Sequence, residues 1–312
     1  MKPEVLVVTP MPGGSQTAIE QEFTARKLWL AEDPAAAIAQ WAPGIRGIAT
    51  TGFIGADARL IGALPKLEII ACFGVGVDLV DLNAAKARGV IVTNTPDVLT
   101  DCVADLALAL LLATARRICA ADRFVRSGGW NTGTFPLTGK VSGSTCGIIG
   151  LGRIGAAIAK RAAAFGMPIL YHGPRPKAGV SYRYCADLAA MARDSDFLVV
   201  ACPGGPATQN LVNARILQAL GPQGTLINIS RGSVVDEPAL VAALQDRSLG
   251  AAGLDVFASE PKVPAALLGL DNVVLLPHIG SGTNETRNAM GDLTVANLRA
   301  HFAGKPVPTR VA

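Results

Sequence analysis

The sequence has few of the residues on which many binding sites are built. Among 312 residues there are only three histidines, three tyrosines and three tryptophans, and charged residues make up 17%. The cysteines form no C-x-x-C pair and no metal-ligand spacing; they are Cys72, Cys102, Cys119, Cys146, Cys185 and Cys202. Several of them lie in apolar runs. We therefore expect free buried thiols in a reducing cytosol and no metal site.

Long hydrophobic runs and a strong net charge are also absent. Only the short apolar run Val5 to Val8 follows Met1-Lys2-Pro3, which does not make a secretory leader. The most apolar stretch, Val103 to Ala115, contains Asp105 and is shorter than the roughly 20 residues that cross a bilayer. The net charge of +4 is too small and too dispersed to indicate nucleic-acid binding. We expect a soluble cytoplasmic protein with neither a membrane nor a nucleic-acid partner.

The residues that are present favour an α/β protein. Half of the chain is hydrophobic, which allows a sizeable core, and a length of 312 residues suggests two domains. Strand-like and helical segments alternate from Val5 to Thr93, and the alternation resumes from Thr145 to Leu276. This pattern predicts parallel sheets with helices on both faces. It is complete once before residue 100, so the N-terminal part looks like a domain of its own.

Two segments join these halves. The helix predicted from Cys102 to about Arg117 is apolar almost all round, which indicates a buried helix running between domains. The stretch from Ala120 to Gly143 is less regular and contains Trp130 and Phe135. Exposed aromatic residues there favour a subunit contact, but a loop packed on its own domain explains the stretch equally well.

A glycine-rich turn follows the apolar strand at residues 145–149. Gly150, Gly152 and Gly155 fit G-x-G-x-x-G: the first makes the tight turn, the second admits a pyrophosphate, and the third lets the helix lie close to the strand. The N-terminus of that helix would face the phosphates. A strand before and a helix after the motif favour dinucleotide binding over a turn that only packs.

The next strand, at residues 168–172, indicates which dinucleotide binds. NAD sites usually place an acidic residue near its end, but here His172 stands there, followed by Gly173, Arg175 and Lys177. The two basic side chains could meet a 2′-phosphate, which favours NADP over NAD. The alternative is a solvated basic loop.

Three further strand ends carry polar residues. Arg231, Glu260 and His278 each follow a predicted strand, and in open parallel sheets ligands bind beyond the carboxyl ends of the strands. A histidinium can protonate the alkoxide formed by hydride attack on a 2-keto acid, a carboxylate can raise the pKa of that histidine, and Arg can bind carboxylate and carbonyl oxygens. By spacing alone these residues could also be structural or merely solvated.

Over nearly its whole length the chain resembles D-isomer-specific 2-hydroxyacid dehydrogenases. The resemblance depends on Gly74-Val75-Gly76-Val77-Asp78, Asn94-Thr95-Pro96-Asp97-Val98-Leu99-Thr100, Gly150-Leu151-Gly152-Arg153-Ile154-Gly155, Asn228-Ile229-Ser230-Arg231-Gly232, Leu254-Asp255-Val256-Phe257 with Glu260-Pro261, and Pro277-His278-Ile279-Gly280-Ser281. These motifs in this order are highly specific.

The resemblance implies roles for individual residues. Arg231, Glu260 and His278 would be catalytic, the backbone N–H groups of Val75 and Gly76 would hold the substrate carboxylate together with Arg231, and Asp255 would meet the nicotinamide carboxamide. The residues implied in the cofactor groove are Gly150, Leu151, Gly152, Arg153, Ile154, Gly155, Gly173, Arg175, Lys177, Cys202, Pro203, Ile229, Ser230, Asp255, His278 and Gly280.

The resemblance also implies an organisation for the chain. It predicts two Rossmann-like domains with a cleft between them: a flavodoxin-like substrate domain of residues 1–98 and 284–312, and a dinucleotide domain of residues 99–283. Homodimers would form through an arm at residues 118–143.

Within the family, the basic loop and the arm are most similar to NADPH-dependent glyoxylate/hydroxypyruvate reductases. Hydroxyphenylpyruvate and 2-ketogluconate reductases are the alternatives. Leu79 stands where many members have Asn or His, directly after the loop residue Asp78. A dinucleotide-sensing corepressor of the same fold is a hypothesis from another class; the sequence shows no long extension of the kind a scaffold uses.

Overall fold

The computed structural model describes residues 2–312 and divides into two compact units. One consists of the chain up to Leu99 together with Ser281–Ala312, and the other is Thr100–Gly280. The strands are β1 Glu4–Val7, β2 Thr24–Lys27, β3 Ile45–Thr51, β4 Ile69–Phe73, β5 Ile91–Thr93, β6 Cys146–Ile149, β7 Ile169–His172, β8 Arg183–Tyr184, β9 Phe197–Val200, β10 Thr225–Asn228, β11 Ala251–Leu254 and β12 Val273–Leu275. The helices are α1 Ser15–Glu22, α2 Pro34–Trp41, α3 Ala58–Ala63, α4 Leu82–Ala87, α5 Thr100–Ala115, α6 Ile118–Arg126, α7 Arg153–Ala164, α8 Leu188–Arg193, α9 Ala214–Leu220, α10 Glu237–Gln245, α11 Ala265–Leu268 and α12 Asn284–Phe302.

The first unit is built on a parallel sheet of five strands in the order β2-β1-β3-β4-β5. This is the flavodoxin-like order, in which the chain reverses direction across the sheet between β1 and β3. Strand β4 is buried along its whole length, as expected for a strand covered by helices on both faces. Helix α12 returns from the end of the chain and packs on β4 and α1.

The second unit is built on a parallel sheet of seven strands in the order β12-β11-β10-β9-β6-β7-β8. The order of the first six strands in the chain is that of the dinucleotide-binding Rossmann fold, with the switch point between β6 and β9. The predicted fold class, two doubly wound parallel sheets with helices, is therefore confirmed.

Helix α5 has a polar stripe on one side, contrary to the expectation from its sequence. It packs on α7 and on the sheet through β10, β11 and β12, but Asp101 and Asp105 lie one turn apart on its exposed side. Arg161 of α7 bonds both carboxylates, at 3.0 and 2.6 Å. The expectation that this helix lacks a polar face is wrong, because one exposed ridge holds the ion pairs to its neighbour.

Several short elements have too little sequence pattern to be predicted. Strands β2 and β8 lie at sheet edges and contain no buried residue, so they lack the apolar pattern by which a strand is recognised. Helices α1 and α8 were likewise not predicted. The helix α6 corrects the expectation of an irregular stretch from Ala120 onward.

The segment of residues 118–143, called the arm below, combines packed and exposed apolar side chains. The ring of Phe135 lies 5.6 Å from that of Phe124 and is covered by the Arg117 guanidinium at 5.7 Å. Trp130 is 70% exposed and Leu137 fully exposed, and α6 has no buried residue. The arm thus packs partly on itself and presents an apolar surface to solvent.

Among residues 2–312, no helix is both long enough and apolar enough to cross a bilayer.

Candidate active site

In the second unit, the strand register brings the sequence motifs to one edge. Ile149, Val200 and Asn228 pair in successive strands, and Asn228 also pairs with Leu254. These are the last residues of β6, β9, β10 and β11. The segments that follow them carry the glycine turn, Cys202-Pro203, the Arg231 turn and Asp255. Parallel strands thus align at one edge residues that are more than a hundred positions apart in the chain.

The three glycines of the motif meet three different steric demands. Gly150 has φ +92°, and a Cβ there would lie 2.6 Å from the Cα of Cys202. A Cβ on Gly155 would lie 2.0 Å from the carbonyl oxygen of Gly150, so this glycine lets α7 approach the turn. At Gly152 a Cβ would meet nothing within 4 Å, which means that the space above it is open.

That open space lies at the start of a helix. Gly152 is the N-cap of α7 and offers no side chain to the first N–H groups of the helix. Such groups, with the positive end of the helix dipole, form an anion site. The turn therefore fits the pyrophosphate of a dinucleotide, with Arg153 and Ile154 beginning the helix.

The loop after β7 is held by two tyrosines. The Tyr171 hydroxyl accepts the backbone N–H of Lys177 at 2.9 Å, and the Tyr184 hydroxyl donates to the Gly173 carbonyl at 3.0 Å. His172 Nδ1 lies 2.9 Å from the carbonyl oxygen of Cys185, the residue that follows β8. Arg175 is exposed, as is Lys177. The loop thus presents two basic side chains from a fixed backbone.

A tight turn carries Arg231. Its guanidinium Nη1 donates to the Ser230 carbonyl at 2.8 Å, and its backbone N–H donates to the Ser230 hydroxyl at 2.6 Å. A Cβ on Gly232 would lie 1.9 Å from the carbonyl carbon of Phe257. Only glycine permits this approach, which brings the Arg231 turn against the segment leading to Glu260.

Glu260 and His278 form a hydrogen-bonded pair. His278 Nδ1 lies 2.7 Å from Glu260 Oε2, and the other carboxylate oxygen accepts the N–H of Phe257 at 3.0 Å. Burial acts to raise the pKa of Glu260, but the His278 and Phe257 hydrogen bonds and the charges of His278 and Arg231 bring it below its usual value. Because a carboxylate only accepts, Nδ1 carries the proton in this pair.

His278 lies in a strained turn anchored by a buried carboxylate. Its φ is +53°, an uncommon conformation for a residue with a side chain. Asp255 accepts the backbone N–H of Ile279 on one oxygen and that of Gly280 on the other, each at 2.8 Å. Burial raises the pKa of Asp255, and the two N–H groups with the His278 charge offset part of that rise.

Cys202 and its neighbours line the turn without carrying charge. Cys202 is buried against Gly150, and burial raises the pKa of its thiol to about 11. Leu151 and Ile229 are buried as well. These residues shape the edge of the sheet, and a neutral thiol at this position is a packing group.

Comparisons with known proteins agree with this geometry. The model of the D-isomer-specific 2-hydroxyacid dehydrogenase NAD-binding domain matches residues 108–280, which is more than half of the chain. The chain belongs to the D-isomer-specific 2-hydroxyacid dehydrogenase family. The family predicted from the motifs is thus confirmed, and Thr100–Gly280 is the NAD(P)-binding unit of an oxidoreductase.

Individual relatives of the dehydrogenase cover almost all of both chains. Hydroxyphenylpyruvate reductase of Plectranthus scutellarioides is 52% identical, and glyoxylate/hydroxypyruvate reductase A of Arabidopsis thaliana is 51% identical, each over 98% of both chains. The structure of an NADPH-dependent glyoxylate/hydroxypyruvate reductase from Sinorhizobium meliloti, in complex with NADP and malonate, has a TM-score of 0.93 and 45% identity. It covers 100% of this chain and 97% of its own.

The first unit of the dehydrogenase contains a second predicted binding element, the loop Gly74–Gly76 after β4. Gly74 has φ +143°, its N–H donates to the Thr95 hydroxyl at 3.0 Å, and Thr95 N–H donates back to its carbonyl at 2.9 Å. Within residues 2–312 the N–H groups of Val75 and Gly76 donate to no protein acceptor. The loop therefore offers two adjacent donors to a ligand.

The second unit brings together Arg231, Glu260, His278 and the glycine turn at one edge of its sheet, whereas Val75 and Gly76 belong to the first unit. Three supporting residues were missed as such: Asn228, whose amide spans the Arg231 turn, and Tyr171 with Tyr184, which hold the basic loop. Asn228 had a detectable signal, because it is a polar residue that ends an apolar strand. The tyrosines had none.

Proposed function

We propose that this protein uses NADPH to reduce a small 2-keto acid, either glyoxylate to glycolate, which is achiral, or hydroxypyruvate to the D-2-hydroxy acid, D-glycerate. One observation carries the proposal: the His278–Glu260 pair, at 2.7 Å, lies beside the Arg231 turn at the sheet edge that also holds the dinucleotide motif. The names of relatives near half identity support the same substrates.

The proposed roles follow from the chemistry of each group. NADPH, when bound, supplies the hydride to the carbonyl carbon. With Nδ1 of His278 engaged by Glu260, we assign Nε2 to deliver a proton to the carbonyl oxygen as negative charge develops there. Arg231 binds the carboxylate and the carbonyl oxygen through its planar fork.

We assign the substrate carboxylate to the backbone N–H groups of Val75 and Gly76, together with Arg231. Two adjacent backbone N–H groups in a loop can donate to the same anion. Their positions are set by the backbone and do not depend on the conformation of a side chain. Three fixed points of attachment leave one face of the carbonyl for the hydride, so hydroxypyruvate should give a single enantiomer of glycerate.

The preference for NADPH is supported by charge. The loop after β7 carries Arg175 and Lys177 on its exposed side, and His172 stands where an acidic residue would bind the ribose hydroxyls of NAD. A 2′-phosphate adds negative charge that a guanidinium can bind in a bidentate manner.

Steady-state turnover with product analysis tests the proposal. Glyoxylate and hydroxypyruvate should be reduced faster with NADPH than with NADH, and hydroxypyruvate should yield D-glycerate. Substituting His278→Ala should lower turnover by about a hundredfold or more while NADPH still binds. Formation of L-glycerate or a racemate, or an active His278→Ala variant, would refute the assignment.

A specific observation favours a second candidate, an aromatic 2-keto acid such as hydroxyphenylpyruvate. Phe53, Ile54 and Leu79 are exposed in the loops after β3 and β4. The Ala56 N–H donates to the Leu79 carbonyl at 3.0 Å, so these loops adjoin each other and the Val75–Gly76 loop. Large apolar side chains suit an apolar substrate tail better than the aldehyde of glyoxylate.

The ratio of kcat/KM for hydroxyphenylpyruvate to that for glyoxylate decides between the two substrates. Under the second candidate, Leu79→Asn should lower this ratio severalfold and leave glyoxylate turnover near the parent value. An unchanged ratio would leave glyoxylate or hydroxypyruvate as the substrate.

We also propose a homodimer formed through the arm, and a cytoplasmic location. The exposed Trp130 and Leu137 and the absence of a buried residue in α6 support the dimer. All six cysteines are free thiols, which is the state kept by a reducing compartment.

A further inference from the structure

Two buried polar residues lie at the carboxyl ends of neighbouring strands. Asn228 is the last residue of β10 and Asp255 follows β11; each is 1% exposed. The backbone N–H of Asp255 donates to the carbonyl of Asn228 at 2.9 Å, which joins the two positions directly.

Asn228 spans the turn that carries Arg231. Its amide oxygen accepts the N–H of Ser230 at 3.1 Å, and its amide nitrogen donates to the Arg231 carbonyl at 3.0 Å. One side chain thus fixes the backbone on both sides of the Ser230–Arg231 peptide bond.

Asp255 does the same for the turn that carries His278. Its two oxygens accept the N–H groups of Ile279 and Gly280, the two residues that follow the histidine. A Cβ on Gly280 would lie 3.2 Å from the carboxylate, so the loop approaches Asp255 closely. The histidine has φ +53°, and a conformation of this kind persists only where the surroundings determine it.

These bonds act where regular structure has ended. Both turns lie beyond the ends of their strands, and buried hydrogen bonds face little competition from water. A displacement of about 1 Å in a reacting group can cost roughly a hundredfold in rate.

We propose that Asn228 and Asp255 are positioning residues, Asn228 for Arg231 and Asp255 for His278. This inference rests on the roles proposed above for Arg231 and His278. It assigns to Asp255 a task other than contact with the nicotinamide. Arg231 binds the substrate, so loss of its support by Asn228 should mainly raise KM. His278 transfers a proton, so loss of its support by Asp255 should mainly lower the rate of the chemical step.

Two isosteric substitutions test the proposal. Asp255→Asn retains one acceptor and turns an N–H₂ group toward the second backbone N–H. Asn228→Asp retains the acceptor for Ser230 and turns an oxygen toward the Arg231 carbonyl. Single-turnover NADPH oxidation is measured at saturating cofactor, KM is measured for hydroxypyruvate, and NADPH affinity is measured by fluorescence titration.

For Asp255→Asn we expect a single-turnover rate roughly 10- to 100-fold lower, with KM and NADPH affinity within about twofold of the parent. For Asn228→Asp we expect KM to rise at least about tenfold, with a smaller change in rate. Each rate is divided by the concentration of NADPH-binding sites. A partly unfolded sample therefore does not give a falsely low rate.

Asn272→Asp is the matched control. Asn272 precedes β12 at the opposite end of the same sheet, and its amide donates to the carbonyls of Leu244 and Gly250 at 3.3 and 3.1 Å. The same chemical change there should lower thermal stability and leave the normalised rate and KM at parent values.

A parental single-turnover rate for Asp255→Asn, or a parental KM for Asn228→Asp, would overturn the corresponding assignment. So would equal kinetic losses in Asn272→Asp. Activity retained by His278→Ala or Arg231→Lys would instead show that the proposed function has failed, because those side chains act directly.

Discussion

At the scale of single residues, the site depends on a few charged groups held by neutral or buried partners. Glu260 uses both carboxylate oxygens, one for His278 Nδ1 and one for the Phe257 N–H. Its pKa is lowered, so the carboxylate remains ionised throughout the neutral range and loses its charge only on acidification below its usual pKa.

Replacing Glu260 by Gln tests the coupling of this pair. Gln keeps the shape but replaces the charged acceptor of His278 Nδ1 by a neutral one. Because the pKa of Glu260 is lowered, kcat of the parent should fall only on acidification below the usual pKa of a glutamate, and this acidic limb should be missing in the variant. The measurement is kcat for hydroxypyruvate as a function of pH from the acidic to the neutral range. A variant that keeps the acidic limb of the parent would contradict the coupling.

The charge on Arg175 should decide cofactor choice. A charged hydrogen bond to a phosphate contributes about 1.5–3 kcal/mol, so Arg175→Ala should raise KM for NADPH at least about tenfold and leave KM for NADH nearly unchanged. Arg183, exposed on the adjacent strand and paired with Asp194, provides the control substitution Arg183→Ala. An equal rise in KM for NADPH and NADH would show that the loop does not bind the 2′-phosphate.

At the scale of elements, α7 packs so closely on the glycine turn that Gly155 has no space for a side chain. A Cβ on Gly155 meets the Gly150 carbonyl oxygen, which is backbone and cannot rotate away. Alanine gains up to about 1 kcal/mol of helix propensity over glycine, whereas overpacking costs about 1–3 kcal/mol. The steric cost of an alanine at position 155 should therefore exceed its gain in helix propensity, and the substitution should destabilise the protein.

Gly155→Ala should lower both thermal stability and NADPH affinity, because α7 must move away from the turn. Gly152→Ala is the matched control: its Cβ enters open space in the free protein, so the melting temperature should stay near the parent value while NADPH binds more weakly. Thermal melts with and without NADPH measure both effects. If Gly155→Ala melts like the parent, the packing argument is wrong.

At the scale of the whole molecule, the arm presents an exposed apolar surface, which supports the homodimer proposed above. Trp130 is 70% exposed and Leu137 wholly so, in a segment whose helix α6 has no buried residue. Burying such side chains between two copies would contribute about 25 cal/mol for each Å² of apolar area removed from water.

We therefore expect the double substitution Trp130→Ser with Leu137→Asp to shift the protein from dimer to monomer in analytical ultracentrifugation. Leu268, 67% exposed in α11 and outside the arm, provides the control Leu268→Asp, which should leave the dimer intact. A monomeric parent protein, or a dimeric double variant, would contradict the role proposed for the arm.

The sequence by itself determined the features that depend on local pattern. Buried strands such as β4 and β10 are apolar runs, the glycine motif has a fixed spacing, and Arg231, Glu260 and His278 each follow such a run. Their roles in catalysis stay predictions, but their position at strand ends could be read because strand length and glycine spacing are properties of adjacent residues.

Only the tertiary structure decided which distant residues meet. The edge strands β2 and β8 have no buried face and gave no pattern, and α6 is amphipathic without a core to define it. The pairing of Glu260 with His278, the approach of Gly232 to Phe257 and the bonds of Asp255 to the His278 turn all join different strand ends. Such contacts are set by strand order and register, which depend on how the whole sheet packs and not on any one segment.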